Sequence, residues 1–158
     1  MKALRYWILA FVVALSGLSL ARSQEKKDAG PASDGERLIG AWHLVSMGAP
    51  GADRESNPAA EIKGMLIYTR DGHMSVQLMY PPSSSAVSNE YVLNGYEASF
   101  GSYDVNEAAH TVTHHVQGSV TRDLVGKDLP RVYQLSGNRL IIKSANPDEH
   151  WSVTWEHY

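Results

Sequence analysis

Residues 111–120 read TVTHHVQGSV, and the alternation in this run decides the fold. On an extended strand successive side chains point to opposite faces. Val112, His114, Val116, Gly118 and Val120 then share one face, apolar except for His114. Thr111, Thr113, His115, Gln117 and Ser119 share the other, which is polar throughout. Period-two alternation of this kind marks a strand with one side in a core and one in water. The two neighbouring histidines are therefore separated: His114 is expected inside and His115 at the surface, and they cannot grip one ion.

The same texture extends in both directions. Short apolar runs separated by turn signals place strands at 39–47, 64–69, 73–80, 97–105, 110–121, 131–136, 139–144 and 151–157. The turn "RDG" at 70–72 and the turn "GN" at 137–138 are tight hairpin connections, with Gly72 free to take a positive φ. Eight strands joined mostly by short turns predict an all-β chain: a single antiparallel up-and-down barrel, closed so that no edge is exposed. Two connections are long, 48–63 and 81–96, and the second carries "SNEYVLNGY", which suits a short helix. Long loops on a compact barrel are either mouth-lining lids or solvated connectors.

Residues before this pattern are of two kinds. "MKALRYW" is a short basic start, "ILAFVVALSGLSLA" is apolar, and Ser19 and Ala21 have the small-residue spacing of a cleavage site. Residues 1–21 are read as a secretory signal peptide, with a retained membrane anchor as the alternative. Residues 22–35, "RSQEKKDAGPASDG", are read as a disordered leader, and the barrel domain as 36–158. The expected location is secreted or periplasmic, with no stable membrane anchor after cleavage. Cleavage removes Lys2 and Arg5 from the 14 Lys and Arg and none of the 17 Asp and Glu, which leaves a net charge of −5. An acidic surface argues against nucleic acid as a partner. The chain has no cysteine, which excludes thiol catalysis and thiolate metal sites.

The candidate site lies on the inward faces. In "HMSVQLMY" these are Met74, Val76, Leu78 and Tyr80; in "WSVTWEH" they include Trp151 and Trp155. In "RVYQL", Arg131 and Tyr133 point the same way, a guanidinium fork beside a phenol, a geometry suited to an anion. Two readings of Arg131 stand: a ligand hook, or a residue lying across the barrel base, stacked on a tryptophan and bonded to backbone carbonyls. His114 is either a satisfied core histidine or a polar anchor. No phosphate loop, dinucleotide fingerprint or nucleophile elbow occurs, so no cofactor is expected. His110 and His114 lie roughly 13 Å apart along a strand, so no metal site is expected.

"LIGAWHLVS", "GMLIYTRDGHMSVQLM", "GSYDVNEAAHTVTHHVQGSV", "RVYQLSGNRLIIKS" and "WSVTWE" together resemble the lipocalin-like domain family of the calycin group, over residues 37–157. The resemblance implies a barrel with Trp42 packed across one end. It also implies relatives that include small-molecule carriers, while some calycin-like barrels are isomerases or cyclases. The leading expectation is an exported binding protein for a small apolar or amphipathic ligand, with His114, Arg131 and Tyr133 as polar anchors. The alternatives are a cofactor-free isomerase or cyclase, with His114 as acid or base and Tyr103 or Tyr133 polarising a carbonyl, and a filled barrel with a structural role.

Overall fold

The structure is a computed structural model and describes residues 32–48, 62–82 and 88–158. Eight strands form one closed barrel in sequence order: β1 (Gly40–Gly48), β2 (Lys63–Tyr68), β3 (His73–Met79), β4 (Tyr96–Asn106), β5 (Thr111–Ser119), β6 (Asp128–Ser136), β7 (Arg139–Ser144) and β8 (Ser152–His157). Every pair is antiparallel, including β1 with β8, which closes the ring. The turns form as their residues dictate. Gly72 sits at φ 83° and Gly137 at φ 58°, where a side chain would be strained.

The strands match the expected ones to within three residues. β6 starts three residues early, at Asp128, and carries Pro130 near its start, where the missing N–H is tolerated. The segment 88–96 is not helical. The Asn89 side chain accepts the amides of Tyr91 and Val92 at 2.8 and 2.9 Å, a local bond that competes with helix. Asn94 and Gly95 then turn at φ 52° and 82° into β4.

Alternation holds on β5 only as far as Val116. Gly101 pairs with Val116 but Phe100 pairs with Gly118, so Gln117 is an extra residue, a β-bulge. The bulge moves the following residues to the other face. Gly118 lies under the exposed ring of Phe100, and Val120 is exposed, contrary to the inward position expected of both. Gly101 makes the bulge possible, because a Cβ there would run into the His115 carbonyl oxygen.

One end of the barrel is closed by a short helix, α1 (Asp34–Leu38). Ser33 and Glu36 form a capping box, each bonding the other's backbone amide. The ordered domain therefore reaches back at least to Ser33, and Asp34 and Gly35 belong to it rather than to a leader ending at 35. Asp34 accepts from the Tyr133 hydroxyl at 3.1 Å, and the Gly35 amide donates to Glu107 at 2.9 Å. Leu38 is fully buried beneath the helix, and its carbonyl accepts from the Trp42 indole at 2.8 Å. Trp42 thus lies buried across this end, with the His157 ring edge-on at 4.3 Å. The reading of residues 1–21 as a signal peptide, and most of the 48–63 connection, fall outside the described residues.

Candidate functional site: a cavity at the open end

The interior is filled at the α1 end and hollow at the other, where a cavity of about 210 Å³ opens. Its walls are apolar in the main: Leu66 from β2, Val76 and Leu78 from β3, Ile142 from β7, Val153 and Trp155 from β8. Tyr80 and Trp151 stand nearer the mouth, and Tyr91 and Val92 reach in from the β3–β4 connection. That connection is therefore mouth-lining over its described part. A few polar groups break the apolar surface: His114, Arg131, Glu97 and Ser99. A mostly apolar hollow with a few convergent polar groups is the usual make-up of a small-molecule site.

His114 is buried, and its Nε2 lies 2.7 Å from the Tyr68 hydroxyl. Burial makes the charged imidazole costly, and the nearby Arg131 charge adds to this, so its pKa falls to about 3. The ring is neutral at any ordinary pH. Tyr68 is buried as well, and burial raises its pKa above the usual phenol range. The pair is a neutral, hydrogen-bonded wall. The adjacent His115 lies outside, its ring held between Asp128 at 2.6 Å and Asp104 at 2.9 Å. Those two hydrogen bonds raise its pKa. The surface ring is thus a clasp across three strands, not the freely solvated side chain that its neighbouring threonines suggest.

Arg131 is buried and points into the cavity mouth. Its guanidinium stacks between two rings, 4.8 Å from the Trp151 centroid and 5.5 Å from that of Tyr91. The Tyr91 hydroxyl and the Trp151 indole both donate to Glu149, at 3.3 and 2.9 Å, which fixes the two rings around the cation. One long bond of 3.4 Å runs from Arg131 to the Pro130 carbonyl. No ion pair holds Arg131 among the described residues. The stacking anticipated for a purely structural arginine is present, but at the mouth and beside the cavity rather than across the barrel base.

Glu97 enters from the start of β4, half-buried. Burial raises its pKa to about 7, against the pull of Arg131 in the other direction. The sequence alone assigned it no role. A signal was present: Tyr103 and Val105 point inward, and counting back by twos puts Glu97 and Ser99 on the same face.

Seven of the nine residues named from the sequence line the cavity: Val76, Leu78, Tyr80, His114, Arg131, Trp151 and Trp155. Two do not. Tyr133 points inward, but at the closed end, where its hydroxyl is bonded to Asp34 and its ring meets His110 edge-on at 5.8 Å. Side chains two apart on a tilted strand share a face yet differ in depth, so Arg131 and Tyr133 form no common fork. Met74 is buried beside Tyr68, within the packed part of the core. The candidate acid–base partner Tyr103 is also away from the cavity. It stacks on Tyr68 at 4.7 Å and donates to the Thr69 carbonyl at 3.0 Å.

A closed eight-stranded meander, filled at one end and hollow at the other, is the barrel that the resemblance to lipocalin-like domains implies. The family model of the lipocalin-like domain matches residues 39–157, and the chain belongs to that family. Among solved structures it is similar to a lipocalin-like protein from Bacteroides uniformis, at 13% identity and a TM-score of 0.48, covering 77% of this chain and 99% of that one. An uncharacterized protein from Bacteroides eggerthii is similar at 10% identity and a TM-score of 0.46, over 77% and 99%. A mutant of the fluorescent protein UnaG is similar at 12% identity and a TM-score of 0.39, over 78% and 97%. No curated protein matches the sequence.

Proposed function

We propose that this protein is an exported carrier or receptor for one small amphipathic molecule, held in the cavity with an anionic or acceptor group on Arg131. The observation that carries the reading is a buried guanidinium at the mouth of an apolar hollow that no carboxylate meets in an ion pair among the described residues, although Glu149 and Glu97 stand near it. A buried charge is costly unless it is paired, and two stacked rings, an interaction with the Tyr91 hydroxyl and one long bond do not use all five donors of its planar fork. A ligand carboxylate or carbonyl would complete the pairing, with its apolar part against Val76, Leu78 and Trp155. Export is supported by the basic, apolar and small-residue order of residues 1–21.

The catalytic alternative built on His114 with Tyr103 or Tyr133 finds less support. A general acid or base works best with a pKa near the working pH. His114 lies well below that, and Tyr103 and Tyr133 stand outside the cavity. The test of the carrier reading is native mass spectrometry of protein purified from its own source. A retained small molecule is expected, and it should be lost or much reduced in Arg131→Gln. An empty barrel that takes up no anionic or acceptor-bearing amphiphile would end the proposal.

A further inference from the structure

The cavity contains two opposite charges that do not meet. Arg131 comes from β6 and Glu97 from β4; Arg131 is level with Val112 of β5 and so with Val105 of β4, eight residues along the strand from Glu97, and the two line the hollow without being neighbours in its wall. No nitrogen of Arg131 comes within 4.0 Å of the Glu97 carboxylate. In an apolar hollow such a pair gains strongly from contact. Here the barrel wall holds the two backbones apart, and the Tyr91–Trp151 sandwich fixes the guanidinium. Glu97 has no hydrogen-bond or ion-pair partner among the described residues, so its carboxyl faces the cavity unused. The other titratable groups that line the cavity are His114, Tyr80 and Tyr91, and burial keeps all three neutral near pH 7.

We infer that the ligand is a zwitterion with an aromatic or branched apolar body, of the amino-acid type, whose carboxylate meets Arg131 and whose ammonium meets Glu97. This rests on the reading of the cavity as a ligand site and narrows it. A simple monoanion would satisfy Arg131 but would bring a second negative charge beside Glu97, which must then take up a proton. A simple cation would satisfy Glu97 and leave Arg131 unpaired. Only a molecule carrying both charges pairs both groups at once. The size favours a small molecule: about 210 Å³ equals the liquid volume of roughly seven waters at about 30 Å³ each, room for one ring system.

Three probes with one ring system separate the possibilities: indole-3-propionate, tryptamine and tryptophan, titrated calorimetrically into the folded protein at pH 7 in two buffers of different ionisation heat. Tryptophan should bind at least 10-fold more tightly than either of the others. It should release protons from the partly protonated Glu97, whereas indole-3-propionate should take them up. Glu97→Gln, checked for folding by thermal melting, should abolish the advantage of tryptophan and leave indole-3-propionate as tight or tighter. Arg131→Gln, with Arg131→Lys as a milder second variant, should weaken both. If indole-3-propionate equals or exceeds tryptophan, or if Glu97→Gln leaves their ratio unchanged, the zwitterion assignment is overturned, while weakening by Arg131→Gln would keep the anion anchor standing. If none of the three probes binds the folded protein, the zwitterion assignment falls, while the carrier reading falls only if the barrel purified from its own source also retains no small molecule.

Discussion

Acidification should pull the stability of this barrel in two opposing directions through the cavity, and single substitutions can expose each of them. The folded state holds His114 neutral, with a pKa of about 3 against 6.5 for the free side chain. Between those values the unfolded chain binds a proton that the folded chain does not, so acid favours unfolding through this group. At about 1.4 kcal/mol per pH unit, lowering the pH from 7 to 4.5 costs roughly 2–3 kcal/mol. Glu97 works the other way. Its folded pKa of about 7 lies above the ordinary 4.5, so between those values the folded chain holds the extra proton and acid favours folding. Over the same interval its contribution is of similar size, up to about 3 kcal/mol, less whatever solvent at the mouth screens. The two slopes oppose each other in the wild type, and the raised pKa of the surface His115 adds to the second. Urea denaturation at pH 7 and 4.5 should then show His114→Gln gaining about 2–3 kcal/mol on acidification relative to wild type, and Glu97→Gln losing a similar amount. A shift of this size moves the melting temperature by on the order of 10 °C. Parallel pH profiles for wild type and both variants would refute the assignment of a neutral His114 and a protonatable Glu97 to this cavity.

Other substitutions test the frame around the cavity. Trp42→Ala should cost roughly 3–5 kcal/mol in urea denaturation, since the ring is buried and its indole is bonded to Leu38. Gly101→Ala should cost more than about 2 kcal/mol, because its Cβ would overlap the His115 carbonyl, whereas Gly72→Ala, with open space around it, should cost only the roughly 1–2 kcal/mol of its left-handed backbone. Tyr133→Phe should lower stability by about 1 kcal/mol through the lost bond to Asp34 and leave ligand affinity untouched; a loss of affinity would return Tyr133 to the site. Amino-terminal sequencing of exported protein should find a start near Arg22 or Gln24, and an intact Met1 there would refute cleavage.

Most of the barrel was legible because alternation and turn chemistry are local. Val112, His114 and Val116 declare their face within five residues, and Gly72 its turn within three. The bulge at Gln117 was not legible, since it depends on the strand opposite: Gly101 lets the His115 carbonyl approach, and nothing in "HVQGSV" alone reports that. The capping box Ser33-x-x-Glu36 could be read in the sequence, but it starts a helix of only five residues inside a polar run, too short for any periodicity to mark. The site divides in the same way. Facing is a matter of parity, so Val76, Leu78, His114 and Arg131 were found. Depth is set by strand tilt and by what plugs the far end, so Tyr133 and Met74 were placed in the hollow when they belong to the packed half.

An even number of strands in a closed meander returns the chain to the rim from which it set out. Here α1 leads into β1 at the plugged end, and β8 finishes there too, with the Tyr158 amide bonded to the Ala41 carbonyl at 3.0 Å. Both ends of the folded domain therefore lie on the side opposite the opening. A fusion partner, a surface linker or a second domain joined at either end would hang from the base and leave the entrance clear. The proximity of the two ends also makes the domain suited to circular permutation, with a short bridge across the base and new ends cut at Asn138, again away from the entrance.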